Sequence, residues 1–244
     1  MQYHKISPFA LLLITLFLMS CGEPPIEWQE AQTSAAETKS ITLPDNSIAH
    51  LNENSYLKYP VEFTQSNRKV ELKGIAFFDV QNDKKTFVVA TEKERITVSA
   101  ASKFNVNTHE NVTSTSVNVA AGGVTLQPSG GGGEVELSKG VKGIFDREKK
   151  ALSRIRKSTP SDMYWHTKRL EFNDTYMARV IDDLTRTFGA EITMTNPGLG
   201  KCPFTYTADN ATLKEVVDAI GKSVNANVFE ESEVIYSLIG GSCE

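Results

Sequence analysis

Cysteine, histidine and excess charge are all scarce in this 244-residue sequence, and each scarcity narrows what the protein can be. Three cysteines, at 21, 202 and 243, are too few for a disulfide-built scaffold and too widely spaced for a cysteine zinc site. His50, His109 and His166 stand apart from one another in the sequence and outside any HExxH arrangement, so a zinc hydrolase has no support. Twenty-six basic against 30 acidic side chains give a net charge of -4, which excludes an electrostatic nucleic-acid binder. No GxSxG elbow, Walker loop or dinucleotide fingerprint occurs. The run Gly130-Gly131-Gly132-Gly133 imitates a phosphate loop, but no Lys-Ser or Lys-Thr follows and Glu134 would repel a phosphate; it reads as a hairpin tip. Asp182-Asp183 falls on the polar side of a helical pattern and reads as a solvated face, not an acid/base pair. No catalytic, cofactor-binding or metal-binding residue emerges, and no enzyme is expected.

What is present begins at the N-terminus. A single firm positive charge at Lys5 precedes an apolar run from Phe9 to Met19, the pattern of a secretory signal. At the helical rise those 11 residues would span roughly 16 Å, about half of a bilayer core, too short to cross it. The segment Leu18-Met19-Ser20-Cys21-Gly22 resembles the bacterial lipobox, which implies cleavage after residue 20 and lipid attachment at Cys21. The mature chain would carry 25 basic against 30 acidic side chains, a net of -5, and would be held to the inner or outer membrane from the periplasm without spanning it. With Cys21 acylated, Cys202 and Cys243 are an even pair in an oxidising compartment, either bonded across the C-terminal region or free.

Residues 21–40 are polar and small apart from Ile26 and Trp28, and read as a lipid-anchored tether. From 41 to 145 apolar residues recur at period two in short runs, clearest in Val70–Val80, Thr86–Ala90, Arg95–Val98 and Phe104–Val106. So many short strands predict two packed sheets or one rolled sheet. Residues 146–163 gather Arg147, Lys149, Lys150, Arg154, Arg156 and Lys157, and read as a short helix or basic linker.

Residues 164–244 hold the strongest helical periodicity. Met177, Val180, Ile181, Leu184 and Phe188 share one helix face closed by Gly189, and Leu213, Val216, Val217, Ile220 and Val224 repeat that spacing 36 residues later. Thr212 with Glu215 makes a capping-box pattern before the second helix. Strand-like segments bracket each helix, so two β-α-β units and a final strand, Val234–Leu238, predict a small α+β module. The fold class is mainly β plus α+β.

Several segments resemble the FecR family of periplasmic sensors, which regulate extracytoplasmic sigma factors together with TonB-dependent outer-membrane transducers. They are Leu43-Pro44-Asp45-Asn46-Ser47, Leu51 to Pro60, Arg68 to Val80, Phe87-Val88-Val89, Val98 to Val106, and Trp165 through Asn173. The resemblance implies a C-terminal domain similar to the short N-terminal module of secretins and TonB-dependent receptors. It also implies protein partners: the periplasmic signalling domain of such a receptor or a related regulator, with no nucleic acid and no cofactor. Family members ordinarily carry a cytoplasmic sigma-binding segment and a membrane-spanning helix, replaced here by the signal segment and Cys21, so direct sigma contact is not expected. The alternative expectation is a structural or assembly lipoprotein docking an outer-membrane complex.

Overall fold

The computed structural model describes residues 26–64, 68–81, 85–109, 113–155 and 160–243. The expected signal segment 1–20 and lipid-attachment residue Cys21 lie outside the described residues.

The organising element of the first domain is one long strand, β5 (Lys69–Val80), which serves two sheets. Its first half pairs with β4 (Tyr56–Pro60) and, in parallel, with β6 (Phe87–Ala90). Its second half pairs with β3 (Ile48–Leu51) and β8 (Ser102–Thr108). The changeover is at Gly74, at φ +90, where an added Cβ would lie 2.8 Å from the Ser55 Cα. A bend there needs both the missing side chain and the left-handed backbone. The first sheet continues from β6 through β7 (Glu94–Val98) and β10 (Gly123–Pro128) to β11 (Val135–Ser138). The second continues from β8 through β9 (Ser114–Ala121) and β12 (Lys142–Asp146) to β13 (Ala151–Ile155). The result is a rolled, nearly closed sheet, as the short alternating runs predict.

Inward positions of both halves fill one core, with Leu51, Leu57, Leu72, Phe78, Phe87, Ile96, Phe104, Leu126 and Leu137 all buried. Two ion pairs close it. Arg68 reaches Asp45 at 2.6 Å and donates to the Gln81 and Lys85 carbonyls, tying loops together. Glu94, 1% exposed, bonds the Thr91 hydroxyl and faces Arg147 Nε at 3.6 Å, while Arg147 donates to Thr108 and Thr115. The four-glycine run lies in the β10–β11 hairpin connection.

Two expected boundaries need correction. The tether expected over 21–40 already holds strand β1 (Trp28–Gln32), antiparallel to β4, and the start of β2 (Lys39–Thr42), antiparallel to β3. These strands escape the apolar pattern because each buries little: Ala31 and Ile41 alone on their strands, with Thr33 held by the Asn52 carbonyl. The basic linker expected over 146–163 is likewise partly strand, since β13 pairs with β12 as a hairpin. Its turn is bonded by Asp146, which accepts from the Glu148 and Lys149 N–H groups. A mostly exposed edge strand has no inward apolar stripe for a sequence pattern to reveal.

The C-terminal module follows a 3-10 turn at Pro160–Met163 and helix α1 (Tyr164–Thr167). In chain order it contains β14 (Arg169–Tyr176), α2 (Met177–Phe188), β15 (Glu191–Met194), β16 (Pro203–Asp209), α3 (Leu213–Ser223), β17 (Ala226–Ser232) and β18 (Ile235–Gly240). The β-α-β order is as expected, but pairing runs between the units: β14 with β16, and β15 parallel to β18, which also pairs β17. Both helices bury the predicted stripes, and Thr212 with Glu215 forms a full capping box. Asp182 is exposed, whereas Asp183, expected on the solvated side, is 1% exposed and ion-paired with Arg186 one turn on. Cys202 and Cys243 are joined by a disulfide with Cα atoms 5.2 Å apart, tying the end of the chain to the module's core.

Candidate functional site

Two surfaces stand out once the fold is assembled: the junction between the domains and one open sheet edge.

The junction forms on the outer face of the second half-sheet. Along β5, β8 and β9 the inward residues alternate with Phe77, Asn105, Asn107, Ser116 and Asn118, which point outward. Asn105 and Asn118 are directly opposite across the strands, as are Asn107 and Ser116. Outward residues on such a sheet are normally wet, yet Phe77, Asn105 and Asn118 are buried, the first two beneath His166 and Trp165 of α1. Consecutive residues of α1 grip opposite partners. Tyr164 belongs to the C-terminal module, its hydroxyl donating to the Ala211 carbonyl at 2.9 Å and its ring 5.1 Å from Phe188. Trp165 and His166 belong to the β domain: the indole N–H donates to Asn105 Oδ1 at 3.0 Å, and His166 stacks on Phe77 at 4.1 Å.

The histidines, far apart in sequence, meet here. His50 is the cross-strand neighbour of Phe77, and its ring lies 4.3 Å from that of His166. Burial, together with His50 alongside, holds the His166 pKa down to about 4, against a smaller opposing pull from Asp79. Burial also lowers His50, again opposed by Asp79. Nothing in the sequence announced this cluster, because its members alternate with core residues and only the docking of α1 brings them together. His109 takes no part in it among the contacts described.

Beside the clasp lies a cleft of about 470 Å³ between the β domain and the module, bordered by the amide ladder, Trp165, Lys168 and Arg186. The second surface is the free edge of β17. Phe229 is 57% exposed and sits diagonally from Ile239, 46% exposed, on the outward face of the three-stranded sheet. Glu230 and Glu231 follow Phe229 along the strand; Glu230 pairs with Lys214 on α3 at 2.9 Å. Among the described residues no group of three or more histidine, cysteine or acidic side chains is placed to hold a metal, and no helix is long and apolar enough to cross a membrane.

The described residues thus form a rolled β domain clasped to a small α+β module with an open strand edge. Comparison with known proteins gives the chain a family. Residues 29–125 match the FecR protein family, and residues 169–236 match its C-terminal domain, "FecR, C-terminal". The chain therefore belongs to the FecR family, a family of sigma-factor regulators. It is also similar to two crystal structures, at 2.50 Å and 1.65 Å resolution, of a "putative anti-sigma factor from Parabacteroides distasonis ATCC 8503". Each is 28% identical, covers 88% of this chain and 100% of its own, and superposes with TM-scores of 0.57 and 0.58. No curated protein matches the chain in sequence.

Proposed function

We propose that the protein is an envelope regulator that acts by binding other proteins, modulating sigma-factor signalling without touching the sigma factor itself. The observation that carries this reading is the β17 edge. Among the described residues β17 is paired on one side only, through six of its seven residues, and Phe229 offers an exposed apolar anchor there. An extended partner segment added there would gain main-chain hydrogen bonds along the edge and seat a side chain against Phe229 and Ile239. The partner we assign is the periplasmic signalling domain of a TonB-dependent outer-membrane receptor or a related membrane regulator. Family membership and the similarity to a structure described as an anti-sigma factor support that assignment.

Anchoring at Cys21 belongs to the same proposal. With β1 starting at Trp28, only Gly22 to Glu27 would separate lipid from domain, at most about 20 Å of chain. The β domain would stand close to the membrane surface. In-cell crosslinking of a C-terminally tagged chain, with Cys21→Ala as the mislocalised control, tests the proposal. Recovery of a TonB-dependent receptor or a membrane-spanning anti-sigma factor, lost on Phe229→Asp, is the expected result. Recovery of secretion or cell-wall machinery alone would overturn it in favour of an assembly role.

A further inference from the structure

The cleft beside the α1 clasp has the makings of a small-molecule site, independent of the protein-binding edge. Its floor is a ladder of amides and a hydroxyl at fixed cross-strand positions, Asn105 opposite Asn118 and Asn107 opposite Ser116. Cross-strand partners hold their side chains roughly 5 Å apart on a stiff pleated surface, so these groups are pre-arranged. Asn105 is committed, accepting from Trp165 and donating to the Asp162 carbonyl at 3.4 Å. Asn118 is different: it is 1% exposed, lines the cleft, and its carboxamide oxygen has no hydrogen-bond partner among the described residues. A buried acceptor left unpaired costs about 1–3 kcal/mol, so a donor arriving in the cleft would relieve it.

The charge pattern narrows the donor's chemistry. Arg186 is neutralised by Asp183, Asp162 by Lys142 at 2.6 Å, and the Lys168 ammonium lies over the Tyr164 ring at 5.7 Å. Glu53, which accepts from the Ala36 N–H, offsets Lys168 in sign, so the charged lining residues cancel and the cleft has no net charge with which to select an ion. The lining is also poor in the apolar surface that lipid or hydrophobic side chains require: Ile75 is its one aliphatic residue, with Trp165 as aromatic wall. A volume of about 470 Å³ falls within the roughly 300–1,000 Å³ of small-molecule sites. Planar amides, a hydroxyl and one partly exposed indole complement a neutral ligand whose surface is hydroxyl groups. We propose that the cleft binds a short neutral saccharide, with a sugar hydroxyl or acetamido N–H donating to Asn118 Oδ1. Because one wall is the β domain and the other the C-terminal module, a bound sugar would favour the clasped arrangement.

The test uses the chain carrying Trp28→Phe, which leaves Trp165 as the single tryptophan. Titration with N,N′-diacetylchitobiose, cellobiose and maltose is followed by Trp165 fluorescence and calorimetry. Saturable binding of at least one disaccharide is expected, weakened about tenfold or more by Asn118→Leu without loss of thermal stability, since the substitution removes an unpaired group. No saturable binding to any of the three, or binding that Asn118→Leu leaves unchanged, would overturn the proposal. A fall in thermal stability with unchanged binding would likewise assign Asn118 a structural role only.

Discussion

Replacing His166 by phenylalanine should flatten part of the pH dependence of this protein's stability. In the folded chain the ring is packed between Phe77 and His50, and burial keeps it neutral down to about pH 4. In the unfolded chain it takes up a proton near its ordinary value of 6.5. Between those two values the unfolded state binds more protons, so stability rises with pH across the window. The contribution is complete above about 6.5, is lost progressively as pH falls towards 4, and is constant below. The groups facing the ring are His50 from β3, Asp79 from β5 and Lys103 from β8, the last two ion-paired at 2.7 Å. A displacement from 6.5 to about 4 corresponds to roughly 3.5 kcal/mol at about 1.4 kcal/mol per pH unit. Partial exposure and solvent screening reduce this to about 1–2 kcal/mol. Phenylalanine keeps a ring against Phe77 but does not titrate, and carboxylates that respond to acid elsewhere are common to both chains. Urea unfolding at pH 7.5 and pH 5.0, monitored by tryptophan fluorescence, should show the native chain losing roughly 1 kcal/mol more than His166→Phe, since pH 5.0 lies about 60% of the way through that window. Parallel losses in the two chains would refute the assignment of a buried neutral His166.

Two further changes bear on the cores. Arg147→Ala leaves the fully buried Glu94 carboxylate without its cation and should destabilise the β domain by about 3–5 kcal/mol, seen as a large drop in the denaturation midpoint. The paired change Arg147→Met with Glu94→Leu should recover much of that loss, which a purely steric role for Arg147 would not allow. Cys202→Ala with Cys243→Ala opens a loop with a sequence separation of 41, worth about 4 kcal/mol by chain-entropy reasoning. Because that loop contains α3 and strands β16 to β18, protection from hydrogen exchange should fall in the C-terminal module while the β domain is unchanged.

The C-terminal module was nearly legible from the sequence. A helix that buries one face must repeat apolar residues every three or four positions, and both stripes, Met177 to Phe188 and Leu213 to Val224, lie where that repeat puts them. The strands of the rolled sheet were legible wherever both neighbours demanded burial, as along Val70 to Val80. Strands β1 and β13 were not, because a strand at the edge of a sheet is specified by hydrogen bonds its sequence does not display. Asp183 escaped for a related reason: a carboxylate can sit on a buried helix position when Arg186, one turn away, covers it.

The junction belongs to the tertiary structure alone. Residues 50, 77, 105, 118 and 166 are distant in the chain, and each is unremarkable where it stands in the sequence. Composition and periodicity determined that this chain folds as a β domain followed by an α+β module, since burial of alternating and helical stripes is dictated locally. Which outward residues of the sheet become buried was decided by where α1 docks, and that is a long-range contact between Trp165, His166 and a face assembled from three strands. The sequence could place amides and histidines on the outside of strands; only the packing of one domain on the other turned them into a desolvated clasp and a polar cleft.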